Sequence, residues 1–273
     1  MGSVMKLIDI GVNLLNPSFD KDREEVVENA CQAGVSALII TGASVKTSLE
    51  AATYVERHPD SSCKLYFSAG VHPHEANTLD DGGLETLRRL GRIAVAIGEC
   101  GLDYFRDYSP RPIQRCCFER QLELAVELSL PLFLHERHAF GDFSAMLKDF
   151  IPKVPAVVVH CFTGNEKELE TYLDLGCHIG ITGWICDERR GRHLLELVKK
   201  IPINRLMLET DSPYLLPRDM GSSFRGGKSG RNEPAFLVHI AQSVARHLGE
   251  DSDVLAAQTL ANTCWFFGIK EQP

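Results

Sequence analysis

Short apolar, β-branched runs recur along the chain, and several stop abruptly at a histidine or a carboxylate. Leu132-Phe133-Leu134 ends at His135, Val157-Val158-Val159 at His160, and Leu206-Met207-Leu208 at Glu209-Thr210-Asp211. Ala94-Val95-Ala96-Ile97 leads into Gly98-Glu99-Cys100-Gly101-Leu102-Asp103. The runs are continuously apolar rather than alternating, as parallel strands covered on both faces require. Eight segments read this way, predicting strands over 7–13, 37–42, 65–71, 94–98, 131–135, 156–160, 178–183 and 205–210. Their starts fall roughly 20 to 40 residues apart, the length of a β/α unit.

Helical patterns fill the intervals. One is predicted over 20–33, before Gly34, and one over 112–130, with Phe118, Leu122, Ala125, Val126 and Leu128 on its apolar positions. Others are predicted over 166–175, before Gly176, and over 188–200, before the proline that follows Ile201. Two more, over 234–248 and 251–267, come after the eighth strand. The expectation is one domain over 1–273: an α/β fold, a TIM-type (β/α)8 barrel open to distortion, with extra C-terminal helices. In such a barrel the C-terminal strand tips converge on one mouth, where active sites are built.

Composition agrees with that size. At 273 residues the chain meets the need of such a barrel, about 250. Its 44% hydrophobic and 24% charged residues are ordinary for a packed domain and exclude a disordered chain. The nine cysteines are odd in number and irregularly spaced, with no C-x-x-C pair. That points to reduced thiols and a cytoplasmic location, or a nuclear one in a eukaryote. No apolar run reaches the roughly 18 residues of a membrane span, and the N-terminus leads into the first strand without a secretory pattern.

The net charge of −8 argues against a strongly basic nucleic-acid binder. It leaves room for an enzyme that meets phosphates through a metal and a few local cations. Two basic clusters are candidates: Arg189, Arg190 and Arg192, and Arg218, Arg225, Lys228 and Arg231. The second cluster spans a loop carrying Gly221, Gly226, Gly227 and Gly230, expected to be the mobile element over the mouth.

Glu99, His135, His160 and Asp211 form the candidate metal set. A hydrolytic metal site needs oxygen and imidazole ligands with positions left for water and substrate. Two carboxylates and two imidazoles supply that, and their charge offsets one divalent ion. Glu99 and Asp211 are the candidate catalytic carboxylates. His72, in Val71-His72-Pro73-His74 after the third strand, and Arg137, two residues past His135, are candidate substrate contacts, together with Arg218 and Arg231. Asp9 and Asn13 share a face of the first strand by the period-two rule and are further site positions. Cys100, Cys161 and Cys186 read as small apolar fillers. No G-x-S-x-G, Walker or dinucleotide fingerprint occurs.

Several stretches resemble the TatD family of metal-dependent deoxyribonucleases, within the amidohydrolase-like barrels. They are Asp9-Ile10-Gly11-Val12-Asn13-Leu14, Gly70-Val71-His72-Pro73-His74, Ile97-Gly98-Glu99-Cys100-Gly101-Leu102-Asp103 and His160-Cys161-Phe162-Thr163-Gly164. Gly180-Ile181-Thr182-Gly183-Trp184, the run from Glu209 to Arg218, and Arg231-Asn232-Glu233-Pro234 complete them. The resemblance covers nearly the whole chain. It implies a TIM-type barrel hydrolysing DNA phosphodiesters with one or two magnesium or manganese ions, exonucleolytic on single strands in some members. By motif, Glu99, His135, His160 and Asp211 fall on the family's metal ligands.

Gly11 and Asn13 stand where many relatives carry first-strand histidines. The change points to an oxygen-richer centre, better suited to magnesium or manganese than to zinc. The expected partner is DNA, with RNA a further substrate, and no membrane or obligate protein partner is implied. Two other functions compete: a metal-dependent ester or amide hydrolase such as a D-aminoacyl-tRNA deacylase, and a non-catalytic scaffold. A scaffold has no use for the four ligands together.

Overall fold

The computed structural model describes residues 5–220 and 230–270. Eight parallel strands run in sequence order: β1 (Leu7–Val12), β2 (Val35–Ile40), β3 (Lys64–Ala69), β4 (Ala96–Asp103), β5 (Leu132–Arg137), β6 (Val157–Val159), β7 (His178–Ile181) and β8 (Leu206–Leu208). They form the TIM-type barrel that the spacing predicts. The seam between its ends is carried by irregular backbone rather than by a β8–β1 strand pair. Asp211 N–H donates to the Gly11 carbonyl (2.9 Å) and Asn13 N–H to the Ser212 carbonyl (2.8 Å).

Helices alternate with the strands: α1 (Arg23–Ala33), α2 (Val45–Arg57), α3 (Asp81–Leu90), α4 (Arg111–Leu128), α5 (Phe140–Lys148), α6 (Glu166–Asp174), α7 (Leu194–Leu197), α8 (Leu237–Leu248) and α9 (Ser252–Phe267). No helix among the described residues is long and apolar enough to cross a membrane. Local capping sets several starts. Ser44 and Thr47 form a capping box on α2, Asn165 and Glu168 one on α6, and Asp251 accepts from the N–H groups of Asp253 and Val254 at α9.

The barrel interior is an apolar column built from alternate strand positions. Ile8 and Ile10, Ala37 and Ile39, Ala96, Phe133, Val158 and Met207 meet there, and Leu260, Phe266, Phe267 and Ile269 close its floor. One period-two step further along, Phe133 is followed by His135, Val158 by His160 and Met207 by Glu209. The side chains that follow the apolar layer toward the C-terminal tips are therefore the chemically active ones.

Three expectations need correction. β4 does not stop at residue 98 but runs to Asp103, so Glu99 lies within the strand. The predicted helix over 188–200 is broken: 188–193 form turns, Leu194–Leu197 is α-helical and Val198–Lys200 is a 3-10 turn. Asp187 closes a tight turn there: its carbonyl accepts from the N–H groups of Arg190 and Gly191, and its Oδ1 from those of Arg189 and Arg190. The helices α2, α3 and α5 were not among the predicted elements. The glycine-rich loop is described only at its two ends, and Gly221, Arg225, Gly226, Gly227 and Lys228 lie outside the described residues.

Candidate active site

Glu99 is the hub. Its Oε1 lies 2.8 Å from His160 Nε2, 3.0 Å from His135 Nδ1 and 3.4 Å from His72 Nε2. Three strand ends thus aim imidazoles at one carboxylate oxygen contributed by a fourth. β4 presents it through a local irregularity: the pairing with β5 shifts between Ile97 and Cys100. Gly98 makes the shift possible, with a φ of 145° and a Cβ direction that runs into the Phe133 carbonyl.

A further set of groups supports the hub. Glu209, with no exposed surface, accepts from Cys161 N–H (2.5 Å) and lies 3.3 Å from His160 Nδ1. Its carboxylate occupies barrel space that glycines leave open, since a Cβ at Gly180 would press on its Oε1 and one at Gly11 on its Oε2. Asp103 lies 2.8 Å from His74 Nε2, and its other oxygen accepts from Phe105 and Arg106 N–H. His135 Nε2 sits 3.5 Å from Asp103, and this buried atom has no hydrogen-bond partner.

The seam contributes two more groups. Asp211, at a φ of 53°, accepts on Oδ1 from Asn13 Nδ2 (2.9 Å). Asp9 is fully buried, accepting from Thr210 N–H (2.9 Å) and from the Thr210 hydroxyl.

The charges in this pocket do not balance without help. Burial pushes the Asp211 carboxyl up to about 8, reinforced by Glu99 and Glu209 and opposed by His160. Burial likewise lifts Asp9 to about 7 against its Thr210 hydrogen bonds. Burial also drives His72 down to about 3, although Glu99 opposes that. At Glu99 the desolvation is outweighed by His160, His72 and His135, which hold its carboxyl well below the usual range. A pocket in which burial drives Asp9 and Asp211 toward their protonated forms beside the charged Glu99 is chemically fitted to a divalent cation, which can take the place of those protons. His72, Glu99 and His135 already bring ligand atoms within 4.8 Å of one another, and the unpartnered His135 nitrogen is a free donor.

The four sequence-predicted ligands divide into two groups. Glu99, His135 and His160 are in mutual contact, and Asp211 lies at the seam beside them. His72, read from sequence as a substrate contact, lies with Glu99 and His135 in a cluster whose geometry could hold an ion. The cluster around Glu99 is richer in imidazole than the first strand implies, with His72 adding a ring where Gly11 and Asn13 supply none. Sequence reading also passed over Glu209 and Asp103. The period-two step from Met207 signals the first, whereas the second emerges only once β4 is seen to run on to Asp103.

The candidate cations are dispersed. Arg137 stacks its guanidinium 4.1 Å over the Phe105 ring at the edge of a cleft of about 1310 Å³, which is also lined by Trp184 and Arg190. Arg190 in turn lies 4.6 Å over the Trp184 ring. Arg218 is 3.7 Å from Glu188 and 3.9 Å from Asp187. Arg231 is held elsewhere: it donates to Asp22 (2.9 Å), Glu233 (3.1 Å) and the Ser18 carbonyl, over the Phe19 ring. Little of its charge is left for phosphate.

A family model described as TatD related DNase matches residues 8–268. The chain is 50% identical over 266 residues to a 3'-5' ssDNA/RNA exonuclease TatD from Rahnella sp., covering 96% of this chain and 98% of that protein. It is 50% identical over 265 residues to the protein of the same name from Erwinia tasmaniensis, covering 96% and 100%. Among solved structures, a TatD family hydrolase from Entamoeba histolytica superposes with a TM-score of 0.87 at 27% identity, covering 98% of this chain and 100% of the other. The TatD homologue YJJV from Escherichia coli K12 gives the same values. With a matching family model over nearly its whole length, relatives at half identity and a carboxylate–imidazole centre at the barrel mouth, the chain belongs to the TatD family of metal-dependent DNases.

Proposed function

We propose that this enzyme hydrolyses single-stranded DNA, and RNA, from the 3′ end, with a divalent ion held by Glu99, His135, His160 and Asp211 and with His72 beside them. The observation that carries the reading is the convergence of three imidazoles on one Glu99 oxygen at the barrel mouth. When bound, the ion supplies Lewis-acid neutralisation of the phosphate oxygens and makes water acidic enough to react.

The chain does the rest. Glu209 fixes the ring of His160, and Asp103 that of His74. Asn13 engages one oxygen of Asp211 and so orients the other, which takes the proton of the attacking water. The cleft beside β5 and β6 receives the strand, with Trp184 offering a ring to bases and Arg137 and Arg190 meeting phosphates. The mixed imidazole–carboxylate donor set favours manganese over magnesium. Nine cysteines without a disulfide support a cytoplasmic location, and we read 1–273 as one domain.

The test is cleavage of end-labelled single strands. With manganese or magnesium, mononucleotides should be released from the 3′ end, and chelation should abolish the activity. Turnover of D-aminoacyl-tRNA without any DNA or RNA cleavage would overturn the proposal.

A further inference from the structure

Apart from the carboxylate–imidazole centre, three side chains from separate elements meet. Cys186 ends the helical turn Gly183–Cys186 after β7, Asp219 lies in the segment after β8, and His239 sits in the first turn of α8. One ligand atom from each lies within 4.8 Å of the other two. His239 Nε2 is 2.6 Å from Asp219 Oδ1, and the buried Cys186 thiol is within hydrogen-bond reach of Ser243 and Asp219. The sequence alone reads Cys186 as an apolar filler, but a filler does not point its sulfur at a carboxylate.

A hydrolytic cysteine triad is the first alternative, and the geometry rejects it. Such a triad places the imidazole between thiol and carboxylate; here the carboxylate is in the middle. Burial also pushes the Cys186 thiol up to about 12, so it is no nucleophile at neutral pH. A plain ion pair accounts for Asp219 and His239 but leaves the thiol without a purpose.

We propose that Cys186, Asp219 and His239 form a second divalent-metal site, selective for zinc and distinct from the centre around Glu99. Thiolate, imidazole and carboxylate are zinc's protein donors, with bonds of about 2.3 Å to sulfur and about 2.0–2.2 Å to nitrogen and oxygen. A tetrahedral ion with those bonds separates its donors by about 3.3–3.8 Å. The separations here, from 2.6 Å to no more than 4.8 Å, bracket that range. Side-chain adjustment therefore suffices to seat the ion. The side chains of His239 and Asp219 are 24% and 37% exposed, which gives the ion a way in and leaves a fourth position to water.

Loading transfers the thiol proton to solvent as the Cys186 sulfur bonds the ion, and thiolate and carboxylate together balance its charge. A thiolate ligand discriminates against magnesium, so the two sites sort metals by donor type. The position has a structural consequence. Cys186 precedes Asp187, which holds Arg189 and Arg190, and Asp219 follows Arg218. An ion here pins both cation-bearing segments to α8.

The experiment uses the full chain, stripped with a chelator and titrated with cobalt(II), which reports thiolate ligation by a near-ultraviolet charge-transfer band. The expected result is such a band, displaced by zinc and absent from Cys186→Ser. His239→Gln and Asp219→Asn, at partly exposed positions that leave the fold intact, should weaken cobalt binding in that band. The loss should be at least the roughly 10- to 100-fold that removing an outer partner of a metal ligand costs. A wild-type chain without the band, or a band that survives Cys186→Ser, overturns the proposal. Should Cys186→Ser fail to fold, unchanged cobalt titrations in both other variants overturn it equally.

Discussion

Glu209 shows how much a single residue can decide while touching no substrate. It is buried without exposure, and it ties the Cys161 backbone to the His160 ring. A carboxylate behind a metal-ligating imidazole sets the ring's tautomer and orientation. Glu209→Gln keeps the shape and removes the charge, so cleavage and manganese affinity should each fall by about 10- to 100-fold with the fold unchanged. The same titration on Glu99→Gln should show a far deeper loss, about a thousandfold or more, because the hub itself is gone. A Glu209→Gln enzyme with wild-type rate and metal dependence would remove that residue from the site.

His178 acts through stability instead. Its ring stacks on Trp265 and meets Phe266 edge-on below the active centre, and burial, with Arg205 adding, lowers it to about 4. The unfolded chain binds this proton from about pH 6.5 downward, while the folded one resists until about pH 4. Stability from this group is therefore complete above pH 6.5 and is lost as pH falls toward 4, by up to about 3 kcal/mol. Denaturant unfolding between pH 7 and 4 should show a shallower acid decline in His178→Leu than in the wild type. Parallel declines in the two would reject this account.

Among the elements, the strands were legible and their exact ends were not. The apolar runs mark all eight because a doubly covered strand leaves few positions for polar residues. β4 escaped because its irregularity lets Cys100, Leu102 and two glycines continue a strand whose pattern breaks at Glu99. The predicted helix 188–200 is interrupted because its first residues close as turns on Asp187, and helical backbone resumes only at Leu194. Arg231 also belongs to this scale. Sequence places it with the phosphate contacts, whereas its bonds to Asp22 and the Ser18 carbonyl tie the segment before α8 to the start of α1. Arg231→Ala should cost about 2 kcal/mol in chemical denaturation and leave strand affinity nearly unchanged. Weakened strand binding at unaltered stability would return it to the phosphate contacts.

For the molecule as a whole, the net charge of −8 limits how nucleic acid is held. Long-range attraction is poor, so affinity rests on the metal centre and a few cations near the cleft. About two to four phosphate contacts on a single strand give a salt slope of roughly −1 to −3. This can be measured as affinity for a phosphorothioate-blocked strand against salt at fixed magnesium. A slope near −6 would mean a broad basic surface, and none of the described cation groups forms one.

The same division runs through the entire molecule. Hydrophobic periodicity determined the barrel, and the residue types at the strand tips determined the chemistry, because both are imposed locally: burial selects the apolar runs, and metal hydrolysis selects carboxylate and imidazole. What the chain could not specify alone was which of those tips meet. His72 came to lie against Glu99, and Glu209 behind His160, while Asp211 reached the centre only through a seam of irregular backbone that closes β8 on β1. Those outcomes depend on a strand shift at Gly98 and on space left by Gly180, contacts between residues far apart in sequence that only the closed barrel brings within reach.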